Sequence, residues 1–210
     1  MRSKVATLWL GLALCWAGYW APWIAHRAAA LNFNGYELAE WTTRLPGVRD
    51  GSLRLGRLDF MLPLACLSLA TALAAGVTPM RGWLRWAARL LALLGGFLIL
   101  PEYPFILTAH IDPELRPTLV LGVVILGGVV IGSWVIRRLE IRDWLVGVTI
   151  SLLALAALGF TIRSLVVMLP VLGELFNAPA RLNWGPWALG VGAALVAVGV
   201  GRDVARNVST

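Results

Sequence analysis

Glu102 is the residue of this chain best placed to do chemistry. It stands in Leu100-Pro101-Glu102-Tyr103-Pro104, near the end of a long apolar stretch. A carboxylate within a bilayer costs on the order of 2.5–3.5 kcal/mol to insert and marks a functional site by default. The flanking prolines interrupt a helix ladder and free carbonyls of nearby residues for another partner. A broken helix carrying a carboxylate is how membrane transporters build proton or cation sites. The plainer alternative, which we favour, ends the helix at Leu100, so that Pro101 to Pro104 is an interfacial turn and Glu102 faces water. Arg163 carries the opposite charge at a similar depth in a later stretch. It either snorkels to headgroups or pairs with Glu102, making the two a candidate intramembrane ion pair or ion-coupling site.

A second cluster of polar residues lies upstream. Asn34-Gly35-Tyr36-Glu37 has capping-box form, and Phe33 and Leu38 are spaced as a hydrophobic staple across it. Leu38, Trp41 and Leu45 then recur at helical spacing, with Glu37, Glu40 and Arg44 on the other face, until Pro46-Gly47 ends the pattern. The spacing predicts a short amphipathic helix over 35–45, lying on the membrane surface. Arg49, Arg54 and Arg57 follow closely. Tyr36, Glu37, Glu40, Trp41, Arg44, Arg49, Arg54 and Arg57 form a candidate docking patch for a lipid headgroup, an anionic solute or a partner domain. The blander reading, again favoured, is a helix packed across the mouth of a bundle with its arginines near headgroups.

Other chemistry is thinly represented. His26 and His110 lack ligand-spaced partners, so no metal, haem or other cofactor is expected. His110, Asp112, Glu114 and Arg116 are the only approach to a catalytic cluster for an intramembrane enzyme, and Asp112-Pro113-Glu114 reads as a turn. Walker, G-x-S-x-G, H-E-x-x-H, C-x-x-C and dinucleotide-binding patterns are absent. Cys15 and Cys66 sit in apolar stretches and act as small hydrophobes.

The elements that must carry these residues are set by hydropathy. The chain is 59% hydrophobic and 14% charged, with a mean hydropathy of +0.79, against roughly 25% charged in soluble domains. Six apolar runs, at about 5–25, 58–78, 88–108, 118–136, 146–168 and 186–201, each approach the roughly 20 residues that cross a bilayer. The expected fold is an all-α integral membrane protein: a six-helix transmembrane bundle forming one domain over 1–210, with an outer loop at 26–57 holding the short amphipathic helix.

Charge orients the bundle. Ten basic and three acidic residues fall on the side of the termini, against seven and seven on the other, which predicts that both termini are cytoplasmic. The net charge of +7 is thus a topology signal, and no nucleic-acid partner is expected. Trp20, Trp23, Trp184 and Trp187 fall at the predicted outer interface, and Trp83, Trp86, Trp134 and Trp144 at the inner one, as aromatic belts do. A cleaved signal peptide ending near Ala28-Ala29-Ala30 is the rival reading of the first run, which is longer and richer in Trp than such a core.

Small residues four apart predict close helix packing: Gly128 and Gly132; Ala193, Ala197 and Gly201; and Ala13, Ala17 and Ala21. Together these features point to a non-enzymatic, multi-pass protein of the cytoplasmic (inner) membrane of a bacterium. The bilayer is its first partner, other membrane subunits or further copies of itself the next. Its expected role is an accessory or scaffold subunit of a membrane assembly. The alternative is a small transporter or channel subunit working through Glu102.

Overall fold

The computed structural model describes residues 2–26, 31–49, 51–53, 55–113, 115–138 and 141–208. The chain is mostly helical, and a helix stands at each of the six apolar runs. These are α1 (Arg2–Trp20), α4 (Arg57–Val77), α5 (Gly82–Ile99), α6 (Arg116–Arg138), α7 (Asp143–Leu175) and α8 (Trp184–Val208). Among the described residues, four helices are long and apolar enough to cross a membrane: α4, α5, α7 and α8, the last over Trp184–Gly201. Within α1 and α6 the described residues include the apolar segments Val5–Trp20 and Arg116–Gly132. Two small helices, α2 (Gly35–Thr42) and α3 (Pro46–Arg49), lie between α1 and α4.

Helix α4 is the axis of the molecule. It packs on α7, α5, α6, α2 and α1, and 72% of its apolar window is buried. Pro63 stands inside it and has no N–H to give Asp59, four residues back. The Ser164 hydroxyl of α7 donates to that freed Asp59 carbonyl at 3.3 Å. Trp16 and Trp9 of α1 likewise reach α4 and its end, donating from Nε1 to Thr71 Oγ1 at 2.9 Å and to Thr78 Oγ1 at 3.2 Å.

The tightest helix pair is α1 with α8, and glycine makes it. A methyl group built on Gly18 would lie 2.5 Å from the Leu189 amide nitrogen, and one on Gly192 only 2.6 Å from the Gly11 carbonyl oxygen. Backbones this close leave no room for a side chain, and such contacts drive helix association where lipid is as apolar as Leu. Gly11 and Gly18 are seven apart, as are Gly185, Gly192 and Gly199, so each set recurs on one helix face. The expected small-residue stripes meet packed surfaces in part. Ala13 and Ala17 are exposed, Ala21 and Ala193 are buried, and Ala197 is half-buried. Gly128 meets Leu69 of α4, while Gly132 and Gly201 have nothing among the described residues within reach.

Three expectations need correction. The fold is not purely α: β1 (Ile24–His26), β2 (Leu31–Phe33) and β3 (Arg181–Leu182) form an antiparallel sheet in the order β2-β1-β3. Strands of two or three residues are too short to show a period-two pattern. The third apolar run does not stay helical to residue 108, because α5 stops at Ile99. Leu100, before a proline, takes φ −59° and ψ 147°, the extended geometry that proline imposes on its predecessor. The fifth run outgrows its predicted limits, and α7 reaches 33 residues, about 50 Å at 1.5 Å per residue. Asn177, left-handed at φ 50°, ends it. Its N–H bonds the Glu174 carbonyl and the Ala178 N–H bonds that of Gly173, a Schellman closure in which Asn stands where glycine is usual.

Tryptophan also departs from the belts. Trp20, Trp184, Trp187, Trp83 and Trp86 are exposed and Trp144 is half-buried, but Trp23 is 0% exposed and donates from Nε1 to the Gly18 carbonyl at 2.9 Å. The side chain of Trp134 lies outside the described residues.

Candidate functional site

The ends of α1, α5 and α7, the starts of α4 and α8, the sheet and α2 meet at one end of the bundle, the cap end. Helix α2 begins there as its sequence dictates. Glu37 N donates to Asn34 Oδ1 and Asn34 N to Glu37 Oε2, both at 2.9 Å, which completes the capping box. The staple residues Phe33 and Leu38 are both buried. The helix is three residues shorter than predicted, ending at Thr42. It buries Leu38, Ala39 and Thr42 and packs against α4.

At the centre of the cap lies Arg57, the first residue of α4. It is 7% exposed and is the one buried charged residue among those described. Its Nε donates to Glu40 Oε1 at 2.9 Å, Nη1 to the Ile99 carbonyl at 3.0 Å and Nη2 to the Leu100 carbonyl at 3.4 Å. Removing a guanidinium from water costs several kcal/mol unless its charge is paired and its N–H groups bonded. Here the charge is paired with Glu40 and each of the three nitrogens donates a hydrogen bond, and the carbonyls belong to the negative end of the α5 dipole. The carbonyls freed by the Pro101 break thus have their partner in Arg57.

Tyr36, on the same helix as Glu40, donates from its hydroxyl to Glu102 Oε1 at 3.3 Å. Partial burial pushes the Tyr36 phenol above its ordinary range, and the charges of Glu40 and Glu102 push it further. Glu102 itself is exposed, in the turn that follows α5. Arg163 does not meet it. Its side chain is 64% exposed and lies 3.7 Å from Asp59 Oδ1, while Asp59 Oδ2 accepts the Gly56 N–H at 2.9 Å and caps α4. Glu102 and Arg163 therefore have separate partners: the alternative that pairs them is not found, and Arg163 of α7 instead lies beside Asp59 of α4.

The candidate docking patch resolves into parts with different duties. Glu37 is spent on capping and Glu40 on Arg57. Trp41 is wedged between Phe33 and Phe176, with ring centres at 5.2 and 6.0 Å. Arg57 faces inward, and Arg44 is exposed. The side chain of Arg49 and all of Arg54 lie outside the described residues, as do Glu114, the side chain of His26 and the Ala28-Ala29-Ala30 run of the predicted cleavage site. His110 is exposed. Among the described residues no three His, Cys, Asp or Glu side chains converge as metal ligands.

What sequence reasoning missed is that Arg57 is a strut. The signal was present, since Arg57 directly precedes the apolar run and shares its first helical turn with the capping Asp59. A cation there faces the bundle as readily as the solvent. Chemically, the arrangement ties three segments together with one guanidinium and leaves a phenol between two carboxylates at the surface. No protein-family model matches the chain, and no curated protein and no solved structure matches it either.

Proposed function

We propose that the chain is a six-span, non-enzymatic protein of a cytoplasmic membrane, with both termini on the cytoplasmic side, that serves as an accessory or scaffold subunit of a larger assembly. The observation that carries this reading is the structural engagement of Arg57. Its bonds link α2, α4 and the end of α5, an arrangement suited to holding a shape. The position of Glu102 supports it too. A coupling carboxylate needs a shielded cavity, and Glu102 lies exposed in a turn. Large apolar side chains stand exposed along α5, α6, α7 and α8, as lipid-facing or partner-facing surfaces do. Gly132, with nothing among the described residues within reach of an added methyl, lies beside exposed Val130 and Ile131 and offers a seat for a partner's helix.

Cysteine labelling tests this reading in a Cys15→Ala, Cys66→Ala background with a membrane-impermeant thiol reagent. Glu102→Cys is expected to label, and Ala92→Cys, fully buried one helix turn or more deeper, is expected not to. Native electrophoresis of the solubilised protein is expected to show a larger assembly that Gly132→Leu dissociates. Labelling at position 92 would reveal a water path into the bundle and turn the reading to a transporter or channel subunit.

A further inference from the structure

The segment that joins α5 to α6 presents large apolar side chains outward. Tyr103, Phe105, Leu107 and Ile111 are each more than half exposed, Tyr103 the most at 81%. The segment is nonetheless tied to the bundle. Pro101 and Ala109 are buried, and Glu102 accepts the Tyr36 hydroxyl of α2. Fixed backbone with outward apolar side chains is the form of a surface that meets something other than water.

The backbone, the depth and the neighbours of this segment say what it meets. Its N–H groups at Ile106, Leu107, Thr108, Ile111 and Asp112 all bond carbonyls of Glu102, Pro104, Phe105 and Thr108 within the segment. The Thr108 hydroxyl also donates to the Phe105 carbonyl, at 3.3 Å. Backbone whose polar groups are bonded internally can approach hydrocarbon, where water is not there to satisfy them. Helix α5 has 18 residues, about 27 Å, close to the roughly 30 Å of a bilayer core. The segment therefore begins at the edge of the acyl region. Trp20, Trp184 and Trp187 are exposed at the same end of the bundle, where amphipathic rings mark headgroup level. Exposed Phe97 precedes the segment in the last turn of α5, and exposed Val120, Val123 and Val124 follow it in α6. Those two helices pack together, so the segment continues an apolar surface that both present to lipid. A partner domain seated on the segment alone would meet lipid along its flanks.

We propose that Tyr103–Ile111 is a membrane-inserting segment, whose Tyr103, Phe105, Leu107 and Ile111 side chains enter the headgroup–acyl boundary of the leaflet on the cap side. Aromatic and leucine side chains are the ones that bury at this boundary. Glu102, exposed and bonded to Tyr36, holds the neighbouring edge of the segment in water. The cap is thereby fastened to the lipid surface beside α5. The inference rests on α5 crossing a bilayer and is independent of the accessory role proposed above.

The test places an environment-sensitive fluorophore on single cysteines of the full chain, in the Cys15→Ala, Cys66→Ala background and in phosphatidylcholine nanodiscs. Leu107→Cys is compared with Phe97→Cys, on exposed α5, and Arg44→Cys, exposed on the cap. The label at 107 is expected to emit as far to the blue as that at 97. It should be quenched by a lipid spin-labelled near the headgroup, and several-fold less by aqueous iodide than the label at 44. Wild type is expected to form adducts on residues 103–111 with a phospholipid carrying a diazirine near its headgroup. Lipid at 97 with water at 107 would overturn the proposal alone; water at both would overturn the spanning of α5 as well. A label at 107 quenched by neither agent would overturn it in favour of a protein cover. Adducts on α5 with none on 103–111 would overturn it without need of any variant.

Discussion

Arg57 Nε and Glu40 Oε1 lie 2.9 Å apart and 17 residues apart in sequence, and the pair is buried on one side only: the arginine side chain is 6% exposed, the glutamate 32%. The two partners are therefore unequal. When Arg57 is removed, Glu40 retains water but the Ile99 and Leu100 carbonyls lose the donors that reach them, whereas when Glu40 is removed Arg57 keeps both carbonyls and loses its counter-charge.

Arg57→Gln is accordingly expected to cost about 2–5 kcal/mol, because it leaves two carbonyls at the end of α5 without their donor. Glu40→Gln keeps an acceptor and is expected to cost about 1–2 kcal/mol. Arg57→Lys should fall between, since an ammonium lacks the planar fork that reaches three acceptors at once. Unfolding in a single detergent by heat or denaturant ranks the three; equal losses for Arg57→Gln and Glu40→Gln would mean that the carbonyl contacts contribute nothing.

The Tyr36 phenol gives the cap a pH dependence. Its proton is held more tightly in the folded chain than in the unfolded one, so the unfolded state loses the proton first as pH rises. The associated stability is complete below the ordinary tyrosine value of about 10 and drains away above it. Phenolate absorbance, taken as wild type minus Tyr36→Phe, should rise at a higher pH than in a model peptide. Glu102→Gln should bring that step down, having removed a neighbouring negative charge; an unmoved step would show that the two side chains do not sense each other.

Between α1 and α8 the sensitivity should be to volume alone. Gly18→Ala and Gly192→Ala each place a methyl within 2.6 Å of backbone and should destabilise by about 1–3 kcal/mol. Gly201→Ala, on the same helix as Gly192 but with nothing among the described residues within reach, is the milder control. Thermal midpoints in nanodiscs compare them, and a tolerated Gly192→Ala would contradict the close approach described here.

At the Asp59 junction a hydroxyl should matter as much as a charge. Ser164→Ala deletes the donor that answers the Pro63 break and is expected to cost about 0.6 kcal/mol, the average for such contacts within membranes. Arg163→Gln removes an exposed ion pair and should stay within about 1 kcal/mol. A double-mutant cycle with Asp59→Asn separates the pair from the packing around it.

Long apolar periodicity and local capping were legible in the sequence; contacts between distant segments were not. The six apolar runs announced helices because burial in or beside lipid demands continuous hydrophobicity, and Asn34 with Glu37 announced the start of α2 because a capping box needs only four residues. Hydropathy runs on through Phe105 to Leu107 and overextends the third run to 108, whereas the prolines, which point to a helix end at Leu100, place the end of α5 correctly. The direction of Arg57 depends on where Glu40 and the α5 carbonyls arrive in space, which no local pattern encodes. The glycine seam could have been found: its seven-residue spacing is written in both helices, but a search for four-residue spacing passes over it.

That seam also sets a timetable for the chain. Gly11 and Gly18 meet partners near residues 185–196, and at 5–20 residues per second of synthesis those partners emerge on the order of ten seconds or more after α1. During this interval α1 has another hold, since Trp16 and Trp9 can already bond Thr71 and Thr78. Helix α4 thus serves as a temporary berth that keeps the glycine face of α1 oriented outward. The last helix closes the bundle like a final stave, and the pairing of β1 with β3 then latches it.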